Sequence, residues 1–185
     1  PEGCQRIMEA EMKAGKRLLQ VGFMRRYDKD YRELREVIAS GTIGIPLVIH
    51  ATHRNLAPAG GAEITNDMAA TNSLVHEFDV TRFLIGGNET YVSAQLVTPR
   101  PSRFCGEGLL DPQLVYLETS SGIRIDLEMY WYCRYGYDIQ CEVVGDLGTA
   151  SLPAPSHTVV RCDGKNAFKV VPTWQERFHE AYVTE

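Results

Sequence analysis

The chain alternates between two periods. Apolar residues recur every three or four positions through Ile7, Met8 and Met12, and again through Tyr31, Leu34, Val37 and Ile38. This spacing predicts helices over Gln5–Ala14 and around Tyr31–Ile38, with Gly15 and Gly41 as their stops. Between them "RLLQVGF", Arg17–Phe23, reads as a short buried strand. "PLVIHATHRN" then switches to a period of two: Leu47, Ile49, Ala51, His53 and Asn55 share one face, and Val48, His50, Thr52 and Arg54 the other. "LAPAGGAEITND" reads as a loop. A helix follows through "NSLVHEFDV" to about Ile85 and stops at Gly86-Gly87.

Beyond Thr90 the period of two dominates. Val92, Ala94 and Leu96 alternate. Leu114–Thr119 and Ile123–Trp131 flank "SSG", a hairpin signal. Along the second of these strands Ile123, Ile125, Leu127, Met129 and Trp131 face one way, and Arg124, Asp126, Glu128 and Tyr130 the other. Asp138–Val144, Thr149–Leu152 and a hairpin at Asp163-Gly164 continue the run, and a helix begins near Trp174. "GDLG" at Gly145–Gly148 reads as a turn. Helices set apart from a run of strands predict an α+β fold, a large and mostly antiparallel sheet with helices on one face.

Composition narrows the function. The chain has 185 residues, 44% hydrophobic and 23% charged, with a net charge of −5 and no long basic run. That argues against a nucleic-acid partner. No apolar run reaches the length of a membrane span. The five cysteines are odd in number and lack CxxC spacing, the pattern of reduced thiols in a cytoplasmic protein. No GxGxxG, Walker-type or HExxH motif occurs, and no spacing supports a metal site.

The candidate chemistry lies in "NSLVHEFDV". Asn72 and His76 are four apart and share a helix face, and histidine is the side chain that exchanges a proton near neutral pH. The face is either an active-site face or a satisfied polar patch.

Three blocks, "QVGFMRRYD" (Gln20–Asp28), "SLVHEFDVTRFL" (Ser73–Leu84) and "RYGYDIQCEVVGDLGTASL" (Arg134–Leu152), carry a resemblance to the Gfo/Idh/MocA oxidoreductases, most similar to their inositol 2-dehydrogenase branch. The resemblance implies the dihydrodipicolinate-reductase-like C-terminal domain of that family. Residues 1–27 would be the tail of a Rossmann domain. Residues 28–185 would be most of an α+β substrate-binding and oligomerisation domain, incomplete at its C-terminal end. It further implies hydride transfer between NAD or NADP and a secondary alcohol of a cyclitol or sugar such as myo-inositol, with no cofactor expected on this stretch alone. A homodimer or homotetramer through the sheet face is implied as well.

By the same resemblance His76 matches the base of a D-x-x-x-H helix. Asn72 departs from the pattern, an amide where relatives carry a carboxylate. Met24, Arg25, His53, Asn55, Ser73 and Tyr135 match substrate-contacting positions. Arg25 equally fits an ion pair at the domain junction. Tyr135 shares strand parity with Met129 and Trp131, which would place it in the core unless a bulge near Gly136 resets the phase. A non-catalytic sugar-sensing or assembly protein on the same scaffold is the competing reading, and Asn72 is the feature that favours it.

Overall fold

In the computed structural model, which describes residues 2–56, 64–153 and 159–185, the helix starts follow the capping chemistry of the sequence. Asp28 caps α2, Lys29–Ala39, by accepting a hydrogen bond from the Tyr31 N–H. Thr65 caps α3, Asn66–Met68, in the same way. The chain then runs through a π-helical turn, Ala69–Leu74, into α4, Val75–Ile85, and leaves it at Gly86 with φ 86°. The sequence predicts one regular helix here. The structure inserts the wider turn at Asn72 and Ser73.

Six strands form the main sheet: β1 (Pro46–Leu56), β2 (Tyr91–Val97), β3 (Gln113–Thr119), β4 (Arg124–Cys133), β5 (Asp138–Gly145) and β6 (Thr149–Ser151). Their order is β2-β3-β4-β1-β5-β6. Every pairing is antiparallel except the central one, β1 with β4, which is parallel. β3 and β4 are the hairpin expected around "SSG", and Gly145–Gly148 is a turn closed by the Gly145 N–H donating to the Gly148 carbonyl at 2.8 Å. A separate hairpin joins β7 (Val160–Cys162) to β8 (Lys165–Ala167).

The expected face of β4 is the buried one: Ile125, Leu127 and Met129 are nearly inaccessible. With Ile49 and Ala51 of β1 and Val143 of β5 they meet Tyr31, Leu34 and Ile38 of α2 and Val80 and Leu84 of α4 in one core. The other sheet face is polar. It carries His50 with Asp126, and Arg54 with Glu128. Leu127 sits on the central strand, opposite Ala51 on one side and Val115 on the other. Leu127→Ala is therefore expected to destabilise the fold by about 2–5 kcal/mol, read from urea unfolding.

Two expectations change. Arg17–Phe23 is not a buried strand: Leu18, Leu19 and Val21 are exposed, and the segment joins no sheet among the described residues. A strand needs a neighbouring ladder for its backbone groups. Here the N–H groups of Leu18 and Leu19 donate instead to Glu11 Oε1 at the end of α1, Glu2–Ala14, a helix that itself buries no side chain. The C-terminal helix comes in two pieces, α5 (Trp174–Arg177) and α6 (His179–Thr184), with Phe178 buried between them. Most of the loop expected at Leu56–Asp67, and His157, lie outside the described residues. No helix among the described residues is long and apolar enough to cross a membrane.

Candidate functional site

The C-terminal end of β1 delivers His53 and Asn55 to a cleft of about 620 Å³. The π-helical turn and the start of α4 add Asn72, Ser73 and His76 from the opposite side, and the turn Met24–Arg26 adds Met24. The α5 and α6 region closes one wall with Thr173, Trp174, Gln175 and Tyr182, and Trp131 and Tyr137 complete it. Six of the eight residues selected from sequence thus line one cleft.

Arg25 and Tyr135 do not. Arg25 is only 1% exposed and lies beneath the cleft floor, paired with the equally buried Glu77. This is the ion-pair role left open for it. Tyr135 is 51% exposed and lies on the polar sheet face, where its hydroxyl donates to Asp138 and accepts from Arg54 at 2.8 Å. The cause is Gly136. Its φ of 143° breaks the strand phase, and a Cβ there would stand 2.6 Å from Val170 Cγ1. The turn lets the Tyr137 N–H donate to the Val171 carbonyl at 2.8 Å and puts Tyr137, not Tyr135, on the cleft.

His76 is half-buried, and its Nδ1 is enclosed with no hydrogen-bond partner. Its ring meets Phe23 edge-on at 6.0 Å. Burial, the Arg25 cation and His53 push its pKa down to about 4, so the ring is neutral at physiological pH. Asn72 makes no hydrogen bond to it. The indole Nε1 of Trp131 is likewise enclosed and unpartnered. The cleft is thus lined by a neutral imidazole, an indole and the amides of Asn55 and Asn72. That set suits hydroxyl groups, which need donors and acceptors at fixed angles.

Beneath the cleft, His53 Nδ1 lies 2.9 Å from Glu77 Oε1 and 3.1 Å from Arg25 Nη2, while its Nε2 is 3.3 Å from Asn55 Oδ1. Burial pushes the His53 pKa down, and Glu77 raises it less. A neutral imidazole beside a mutually neutralising Arg25–Glu77 pair avoids a net buried charge. Glu77 is held below the usual carboxylate range by Arg25 and His53, despite its burial.

Sequence reasoning missed Glu77, which reads only as one polar residue of a helix. It also missed Asp111, whose carboxylate oxygens accept from the N–H groups of Trp131 and Tyr132 at 2.8 and 3.0 Å and so hold Trp131 in the cleft wall. Among the described residues no group of His, Cys, Asp and Glu is placed to hold a metal ion.

These shifts predict acid lability. His76 has a folded pKa near 4 against an ordinary 6.5, so the unfolded chain takes up its proton first as pH falls. Stability present above pH 6.5 is lost between about 6.5 and 4, by up to about 3 kcal/mol. Glu77, with its folded pKa lowered from 4.5 to about 2, extends the loss as pH falls through that window. Urea midpoints should drop from pH 7 to 4, and His76→Gln should flatten the upper part of that decline.

The sequence pattern of the GFO/IDH/MocA C-terminal domain matches residues 31–151. The chain belongs to this family. The family match is supported by inositol 2-dehydrogenases of Burkholderia lata, 51% identical over 184 residues, and of Serratia proteamaculans, 50% identical. In both cases all of this chain aligns with 53% of the relative. A solved myo-inositol dehydrogenase from Lactobacillus casei, in complex with NAD(H) and myo-inositol, is 39% identical with a TM-score of 0.91, matching all of this chain to 54% of that one. The chain spans about half the length of the family members it matches.

Proposed function

We propose that this chain is the substrate domain of an NAD(P)-dependent oxidoreductase that moves hydride between nicotinamide and a secondary alcohol of a cyclitol or sugar such as myo-inositol. The observation that carries the reading is His76, held neutral in a cleft whose other polar groups suit hydroxyls. The family membership and the inositol dehydrogenases among the relatives support it. Residues 1–27 are read as the tail of a nucleotide-binding domain and 28–185 as the substrate domain. The 185 residues contain no glycine-rich phosphate loop, so the dinucleotide is assigned to the rest of the full-length protein.

A bound nicotinamide supplies the hydride acceptor. His76 accepts the hydroxyl proton as the carbinol carbon becomes a carbonyl. Asn55, Asn72 and Ser73 hold neighbouring hydroxyls. Trp174 and Tyr137 cover the ring and exclude water from it. Tyr137 takes the place in the pocket that the motif alone assigns to Tyr135.

The protein is read as cytoplasmic, in keeping with five free cysteines. It is read as a homodimer or homotetramer through the outer sheet face, where Tyr116 and Tyr135 are 45% and 51% exposed.

The test is steady-state oxidation by the full-length protein with NAD or NADP across myo-inositol, other cyclitols and cyclic sugars. Turnover of a cyclitol supports the reading. Saturable sugar binding without oxidation replaces it with the sugar-sensing alternative, which the unlinked Asn72 favours.

A further inference from the structure

Arg25 and Glu77 are a poor device for stability alone. Each is 1% exposed, and each keeps a buried polar atom without a partner, Nε of Arg25 and Oε2 of Glu77. A buried ion pair with unsatisfied atoms gains little over an apolar pair of similar volume. What the pair does contact is His53, whose Nδ1 lies 2.9 Å from Glu77 Oε1 and 3.1 Å from Arg25 Nη2. The other ring nitrogen of His53 is 3.3 Å from Asn55 Oδ1, and His53 and Asn55 both line the cleft while Arg25 and Glu77 do not. Contact therefore runs without a gap from a buried carboxylate to an amide on the cleft surface. The partner of one ring nitrogen sets the orientation and tautomer of an imidazole.

We infer that Glu77 is a positioning residue for the substrate-facing wall: it clamps the Arg25 guanidinium, which donates to His53 Nδ1 and so holds the ring with its Nε2 on the side chain of Asn55. As placed, Asn55 presents its carbonyl oxygen to Nε2, so the ring proton sits on Nε2 and Nδ1 accepts from Arg25. The Asn55 amide N–H groups are then free for a substrate hydroxyl. Without the clamp the ring is free to turn or change tautomer, and Asn55 turns with it. This rests on the cyclitol reading above. Its expected signature is weaker substrate binding with turnover largely kept, because Glu77 touches no reacting atom.

The experiment uses the full-length protein in three forms: parent, Glu77→Gln, and the double variant Arg25→Met/Glu77→Leu, which removes both charges together and so leaves no unpaired ion to unfold it. Two quantities are read: KM and kcat for myo-inositol, and the ring 15N shifts of His53 with labelled histidine. The parent is expected to show one protonated and one unprotonated ring nitrogen on His53, and the double variant to show averaged values. KM is expected to rise about tenfold in both variants with kcat within about threefold. Glu77→Gln retains Arg25, so a rise shared by both variants cannot come from a lost Arg25 contact. An active double variant with the parent's KM, or His53 shifts unchanged in it, overturns the inference. If the parent oxidises no cyclitol, the functional reading fails, and the 15N shifts alone decide the role of Glu77.

Discussion

His76→Ala is expected to lower kcat for cyclitol oxidation by about 10²–10⁴-fold, the usual contribution of a positioned general base, with KM changed far less. The expectation follows from placement and charge state together. His76 lines the cleft, its Nδ1 is enclosed without a partner, and its pKa of about 4 keeps the ring in the proton-accepting form throughout the physiological range. His179, exposed on α6, is the control, and His179→Ala should leave kcat at the parent value. A His76→Ala protein with parental turnover would remove this helix from the chemistry.

The second large effect is a gain. Asn72→Asp is expected to raise turnover by about tenfold or more. The direction follows from the reverse change in the serine-protease triad, where exchanging the aspartate beside the catalytic histidine for asparagine costs about 10⁴ in turnover. Asn72 shares the cleft with His76 and gives its ring no hydrogen bond. A carboxylate there would accept from Nδ1–H and stabilise the imidazolium formed when the hydroxyl proton moves. It would also raise the His76 pKa from about 4 toward its ordinary value. A base must be deprotonated to act, so the acid limb of kcat/KM should move to higher pH in Asn72→Asp while the plateau rises. His76→Ala should erase the gain, because two residues acting as one unit do not contribute additively. If Asn72→Asp instead lowers activity while His76→Ala abolishes it, Asn72 contacts a substrate hydroxyl directly.

The sheet was legible where burial imposes a period of two. Ile125, Leu127 and Met129 alternate with polar residues because one face of β4 meets the helices and the other does not. Helix ends were legible where a glycine enforces them, as at Gly86. The parallel pairing of β1 with β4 was not, since register between strands far apart in the chain leaves no local mark. Arg17–Phe23 misled because an apolar run signals burial, whereas strand formation also needs a partner ladder.

At the site, a shared helix face pairs Asn72 with His76, and the family resemblance adds Met24, His53, Asn55 and Ser73, all of which line the same cleft. The strand parity of Tyr135 and Tyr137 turns on the single dihedral of Gly136, and the sequence shows only that a glycine is there. Glu77 was invisible for another reason. Its importance lies in Arg25 and His53, which reach it from distant parts of the chain. The extra width of the π-helical turn at Asn72 has no counterpart in hydrophobic spacing, and such turns often occur at functional sites.

The most direct measurement is a crystal structure of the full-length protein with a dinucleotide and myo-inositol bound. The account predicts the cyclitol in the cleft between β1 and α4, with one hydroxyl within about 2.6–3.2 Å of a His76 ring nitrogen and others on Asn55 and Asn72. A cyclitol bound away from His76, with Asn55 and Asn72 making no contact to it, would contradict the account.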